Sequence, residues 1–219
     1  MCKIPILTDD KYIQNKGIDY RFYLALLSQT YFDDETDSEY RTLNTEKFFE
    51  NRIYFLEKMK LSEDSFRKYL NKFLRTDIVC MENDIIKVRV KNENNKGYFL
   101  ISEEEIDKLL EISSNNIKLY LIIDYLLSYL RDSNLIRITT LSKKLGFSST
   151  NSKTITNGIK KLKEHNLIDY EVKETKTFSD GKFMKVNNYY FFLKLGDNMQ
   201  MEKIVNFRER KVKNRERKV

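Results

Sequence analysis

Residues Thr139 to His165 read TTLSKKLGFSSTNSKTITNGIKKLKEH, and their pattern predicts two short helices. Leu141 and Leu145 are four residues apart, the spacing of one helix face, and Gly146 then interrupts the helix. A second helix is expected to begin near Thr150, because threonine and asparagine side chains accept hydrogen bonds from the free N–H groups of a first turn. Two helices joined by a short turn that contains glycine are typical of a helix-turn-helix.

The second of these helices has one apolar and one polar face. Ile155, Ile159 and Leu162 follow the i, i+4, i+7 spacing of a buried stripe. Hydroxyls, amides and lysines, which bind base edges and phosphates, occupy most other positions. The candidate DNA-binding residues of this helix and the turn before it are Ser149, Thr150, Asn151, Ser152, Lys153, Thr156, Asn157, Lys160 and Lys161.

A β-hairpin is predicted directly after the second helix. Apolar and polar residues alternate on both sides of Asp180-Gly181, a pair that is typical of a two-residue hairpin turn. A helix-turn-helix followed by a basic hairpin indicates a winged helix, in which the hairpin is the wing. The alternative is an ordinary α+β domain with solvated surface lysines. The wing lysines expected to contact DNA are Lys173, Lys176 and Lys182.

An earlier segment has the same pattern. Phe66, Leu70 and Phe73 repeat the apolar spacing of the later helix, Ser62 precedes them as a cap, and two strands are predicted around a turn at residues 82–84. We interpret this as an internal repeat, against the alternative of coincidence. The predicted fold class is therefore mainly α with short β-hairpins (α+β), as two tandem winged-helix domains.

The polar run KNENNKG at residues 91–97 has no periodicity and indicates a domain boundary. The predicted domains are a first winged helix at 1–96 and a second at 97–197, followed by a basic tail at 198–219.

The two predicted reading helices differ in charge. The first begins with Glu63 and Asp64, which stabilise a helix N-terminus but would repel phosphate there. We therefore expect the second copy to be the better base reader, while the first binds phosphate, a second half-site or a partner subunit. The candidate DNA-binding residues of the first copy are Arg67, Lys68, Asn71, Lys72 and Arg75.

The positive charge is concentrated at the C-terminal end. The formal net charge is +7, and the last thirteen residues hold seven Lys and Arg but only two Glu. A basic tail attracts polyanions through counterion release, although such a tail can also be merely solubilising. We expect it to contact nucleic acid through residues that include Arg208, Arg210 and Lys211.

No catalytic, metal or cofactor site is predicted, so we expect a non-enzymatic protein. The one histidine, His165, follows the second reading helix, and two cysteines cannot form a zinc site. No GxxxxGK[ST] motif is present. The run from Ile117 to Leu130 is too short to span a membrane and contains two charged residues, so it is expected to be a core helix. With no signal peptide and two expected free thiols, the predicted location is cytoplasmic.

Two segments resemble a known group of proteins. These are YFLISEEEIDKLLEISSNNIKLYLIIDYLLSYL at 98–130 and ITTLSKKLGFSSTNSKTITNGIKKLKEHNLIDYE at 138–171. They resemble winged-helix modules of plasmid and phage replication initiators, such as the DnaD-like and RepA-like proteins of low-GC Gram-positive bacteria. The resemblance covers mainly residues 98–195. It implies that both copies can contact DNA and that one can also form a homodimer.

The expected function is sequence-specific binding of double-stranded DNA in a plasmid or mobile element, with replication initiation preferred. Replisome proteins are then further expected partners, although no helicase-loading segment is evident. A transcriptional repressor and a conjugation or partition accessory protein use the same module and stay open. A protein-interaction scaffold is the alternative of a different class.

Overall fold

The computed structural model describes residues 3–30, 39–90, 98–129, 134–147, 152–179 and 182–194. The fold is mixed α+β. The elements of the first half are β1 (Lys3–Leu7), α1 (Asp10–Ile13), α2 (Tyr20–Leu27), β2 (Tyr40–Asn44), α3 (Thr45–Glu50), α4 (Arg52–Met59), α5 (Glu63–Phe73), β3 (Val79–Glu82) and β4 (Ile85–Arg89). Those of the second half are β5 (Tyr98–Ser102), α6 (Glu103–Leu109), α7 (Ser114–Tyr129), β6 (Leu135–Ile136), α8 (Ile138–Lys144), α9 (Ser152–Glu164), β7 (Ile168–Ser179) and β8 (Lys182–Leu193).

Both halves contain a three-stranded antiparallel sheet with the same strand order. The first sheet is ordered β2-β4-β3 and the second β6-β8-β7, so in each the first strand lies beside the third. Each sheet is assembled in the same chain order, which is helix, strand, one or two short helices, a longer helix, and then two strands. The two predicted reading helices, α5 and α9, occupy the same place in this order.

The hairpins form where local turn chemistry predicts them. Asn83 and Asp84 both have positive φ, 47° and 62°, as a two-residue turn between right-twisted strands requires. In the second hairpin Ser179 pairs with Lys182, so the strands are separated by the two residues at which a turn was predicted, and those two residues lie outside the described part of the chain. β7 and β8 have 12 residues each, which makes this hairpin longer than the short one we expected.

One helix near the centre of the first half is buried on nearly all sides. Seven of the eight residues of α2 are buried, as expected for a helix that is apolar all round. Its tyrosine hydroxyls find backbone partners, since Tyr20 donates to the carbonyl of Leu7 at 2.9 Å and Tyr23 to that of Arg89 at 2.8 Å. Both bonds attach strands to the helix without leaving a buried polar group unsatisfied.

The two halves are joined by backbone pairing and by a shared core. β1 pairs with β5 in antiparallel register from Lys3↔Ser102 to Leu7↔Tyr98. A single hydrophobic cluster includes residues of both halves, and α2 packs against α7. Lys144 also forms an ion pair with Asp10 at 3.0 Å. The predicted domain boundary after residue 96 stays a prediction.

Candidate nucleic-acid interface

The apolar face of α9 packs against the rest of the second half. Ile155, Ile159 and Leu162 are at most 1% exposed, which confirms the predicted stripe. Gly158 lies on the same buried face, and a Cβ atom added there would be 2.7 Å from Cδ2 of Leu119 in α7. Glycine therefore allows α9 to approach α7 closely, and this packing fixes which side of α9 faces solvent.

The opposite side of α9 is exposed and basic. Ser152, Lys153, Asn157, Lys160 and Lys161 are all exposed, as the predicted DNA-binding face requires. The helix carries no acidic residue before its last one, which pairs with Lys161 at 3.0 Å. Of the described residues, no carboxylate forms an ion pair with Lys153 or Lys160, so both ammonium groups are free to meet an anionic ligand.

The side chain of Thr156 is less available for contacts with DNA than the sequence predicts. It is half-buried, and its hydroxyl lies 3.0 Å from the carbonyl oxygens of both Ser152 and Lys153. The hydroxyl proton is therefore engaged within the helix, as is common for threonine inside helices. The hydroxyl oxygen retains only its acceptor capacity for a ligand.

The first helix of the predicted helix-turn-helix contributes residues that sequence reasoning missed. Thr139 and Lys143 of α8 line a shallow groove of about 230 Å³ together with Ser152, the first residue of α9. Thr139 and Lys143 are both exposed. The sequence does contain a signal for these two residues, because both lie on the side of α8 opposite the stripe of Leu141 and Leu145.

The wing lysines have different surroundings. Lys176 is exposed, whereas Lys173 is half-buried with its Nζ 4.5 Å from the centre of the Tyr190 ring. Lys185, on the same hairpin face as Lys176, pairs with Glu174 at 2.9 Å. The side chain of Lys182 lies outside the described part of the chain. The wing thus carries charges of both signs. Of the predicted DNA-contacting lysines whose side chains are described there, Lys176 is the most exposed.

Two aromatic residues near the wing tip are exposed. Phe178 and Phe183 face each other across the strands at 66% and 75% exposure, with ring centroids 5.0 Å apart. The same hairpin face is buried nearer the body of the protein at Ile168 and Phe191. The two phenylalanines are therefore exposed because the hairpin extends beyond the core.

The first candidate reading helix is also exposed and basic. Ser62 caps α5 by accepting from the amide of Ser65, and Phe66, Leu70 and Phe73 are buried as predicted. Glu63 forms an ion pair with Arg52 at 3.3 Å. The predicted contact residues of this helix are all exposed, namely Arg67, Lys68, Asn71, Lys72 and Arg75.

Several predicted contacts lie outside the described residues. These are Ser149, Thr150 and Asn151 in the turn before α9, and Arg208, Arg210 and Lys211 in the basic tail. Within the described ranges, no three histidine, cysteine or acidic side chains are grouped as metal ligands. In that same part of the chain, no helix has both the length and the apolar composition to cross a membrane.

No protein-family model, no curated protein and no solved structure matches the chain. The function must therefore be inferred from the geometry and chemistry of the exposed faces.

Proposed function

We propose that the protein binds double-stranded DNA sequence-specifically, with α9 lying in the major groove. The observation that carries this proposal is the exposed face of α9, where Lys153 and Asn157 lie one turn apart without a neighbouring acid. Lysine donates to guanine O6 and N7, and asparagine bonds adenine N6 and N7 in a bidentate manner. An α-helix fits the width of the major groove, and residues near its N-terminus contact base edges.

The chain order and sheet order support two winged-helix units in tandem. Each half has a helix, an edge strand, two or three further helices and a hairpin whose second strand lies beside the edge strand. In this arrangement the longer helix reads bases and the hairpin extends beside it as the wing. Lys176 would then hold a phosphate and fix the register of α9 without reading sequence.

The first unit is proposed to contact DNA less specifically. Its helix α5 exposes Arg67, Lys68 and Lys72, and Arg75 is exposed just beyond its end, but the acids at its start disfavour phosphate at the N-terminus. We assign it phosphate contacts or a second half-site. Replication initiation is the preferred role, and it depends on the resemblance to initiators. Repression and accessory roles in conjugation or partition use the same DNA contacts.

The proposal is tested by selecting fragments that the full chain binds from random duplex DNA. We expect a recurrent sequence of defined length. Two-fold symmetric sites would indicate a dimer, and direct repeats would indicate monomers side by side. Recovery of unrelated fragments with no shared sequence would refute sequence-specific reading.

A protein-interaction scaffold is the second candidate, because some exposed apolar side chains lack an evident DNA role. Besides Phe178 and Phe183, Phe49 and Ile53 in the first half are 43% and 59% exposed. The two functions differ in their response to salt. A DNA reader loses affinity steeply as salt rises, whereas a scaffold is indifferent to DNA even at low salt.

A further inference from the structure

A cleft with a volume of about 400 Å³ opens where the two halves meet. Tyr69 and Lys72 of α5 line it from the first half, and Lys118 of α7 and Phe147 from the second. Lys16, in the segment after α1, completes the wall. The cleft therefore lies between the end of one candidate reading helix and the turn that leads to the other. Its volume is in the range of small-molecule sites.

The lining of this cleft is strongly positive. Lys16, Lys72 and Lys118 face one carboxylate of the lining, Asp19. That carboxylate is already used as the cap of α2, where one oxygen accepts from the amides of Arg21 at 2.9 Å and Phe22 at 3.4 Å. Among the described lining residues, the cleft thus holds more cationic than anionic groups, and the one acid named there also caps α2.

Lys118 is an unusual lysine because it is 6% exposed. Its Nζ donates to the carbonyl oxygen of Asn15 at 3.0 Å and lies 5.2 Å from the centre of the Tyr20 ring. An ammonium group has three N–H donors, and buried charges normally have an anionic partner. Among the described residues, no carboxylate forms an ion pair with Lys118. The pKa of Lys118 is lowered to about 8, chiefly by burial, with Asp19 opposing the change and neighbouring Lys72 adding to it.

The first residues of α7 add to this positive character. Ser114 and Asn115 line the cleft at the start of a 16-residue helix. The free amides and the dipole of a helix N-terminus favour anions.

We propose that this cleft binds a phosphate-bearing anion, with Lys118 at its base and Lys16 and Lys72 beside it. Three lysines and a helix N-terminus suit a group with more than one negative charge better than a single carboxylate. The phosphate has two possible sources, a free phosphate compound or the backbone of DNA that contacts α5 and α9. Because residues of both halves line the cleft, its occupant would also bridge them.

Protonation provides a signature of the bound anion. A phosphate next to Lys118 favours the ammonium form and raises its pKa above about 8. Near pH 9 the wild type should therefore take up more protons on binding than a variant without Lys118, since proton release by the probe itself is common to both. Proton uptake is detected calorimetrically by comparing buffers of different ionisation enthalpy.

The test uses the full chain and inorganic pyrophosphate at constant ionic strength. We expect saturable changes in the NMR signals of the Ser114, Asn115 and Gly146 amides. Lys118→Met should weaken binding at least tenfold and remove the additional proton uptake, whereas Lys108→Gln on α6, a lysine that pairs with Glu104 at 3.0 Å, should bind like the wild type. If Lys118→Met does not fold, the Lys16→Gln/Lys72→Gln double variant takes its place.

A second arm with a short DNA duplex distinguishes the two sources. Competition between duplex and pyrophosphate would identify the DNA backbone as the natural occupant. Simultaneous binding of both would identify a free phosphate compound. Saturable pyrophosphate binding without any duplex binding would support the cleft while refuting the proposed DNA function, so the two failures are distinguishable. Unsaturable signal changes, or equal pyrophosphate affinity in wild type and the lysine variants, would overturn the assignment.

Discussion

Replacing Lys153 and Lys160 by glutamine should reduce the salt dependence of DNA binding by a calculable amount. Both lysines are exposed on α9, and no described carboxylate pairs with either of them. Each phosphate contact contributes about 0.9 to the slope of log K against log salt. Loss of two contacts should therefore reduce the slope by about 1.8. If the plots of log K against log salt for the wild type and the double variant intersect near 1 M salt, the affinity of the variant at 0.1 M is roughly sixtyfold lower.

The assay is fluorescence anisotropy of a labelled duplex of random sequence, titrated at several salt concentrations. Lys108→Gln is the matched control, because this lysine is on α6 and pairs with Glu104 at 3.0 Å. The control should retain the wild-type slope. An unchanged slope in the Lys153→Gln/Lys160→Gln variant would refute the assignment of these lysines to phosphate, as would an equal loss in the control.

Three further predictions follow from packing, burial and charge. Ile159→Ala should lower the free energy of unfolding by about 2–5 kcal/mol because Ile159 is fully buried, while Lys160→Ala changes it by less than about 0.5 kcal/mol in denaturant titrations. Burial, with Glu105 nearby, raises the pKa of Asp124 well above its usual value. The wild type should therefore lose stability as pH rises from about 4, and Asp124→Asn should remove that loss in thermal unfolding measured from pH 4 to 8. An identical pH profile in the variant would contradict this explanation. Removal of residues 207–219 should weaken binding to all sequences alike, and a change of preferred sequence instead would contradict the proposed role of the tail.

The features that the sequence predicted correctly are encoded locally. The apolar stripes of α5 and α9 recur at helical spacing, and both are buried. The sequence Ser102-Glu103-Glu104-Glu105 has the spacing of a capping box, and in α6 each of the two end side chains bonds the other's backbone amide. Local turn residues located both hairpins, at 82–84 in the first half and at Asp180-Gly181 in the second. Each of these features depends on residues that are only a few positions apart in the sequence.

The features that sequence reasoning missed depend on contacts between distant segments. Nothing in β1 specifies β5 as its partner, because any apolar strand offers the same backbone groups. The alternation along the wing strands does not specify how far the hairpin extends beyond the core, so it could not predict that Phe178 is exposed. Lys118 was recognised as a charge within an apolar helix, yet the cleft beside it exists only because the two halves pack together.

The central claim is that α9 distinguishes one DNA sequence from another. It is tested most directly by footprinting the selected site with the wild type and with the Lys153→Ala/Asn157→Ala double variant. Circular dichroism and thermal unfolding verify that the double variant is folded. We predict that the double variant retains weak binding to all DNA but no longer protects the selected site in preference to its surroundings. An unchanged footprint would contradict the claim.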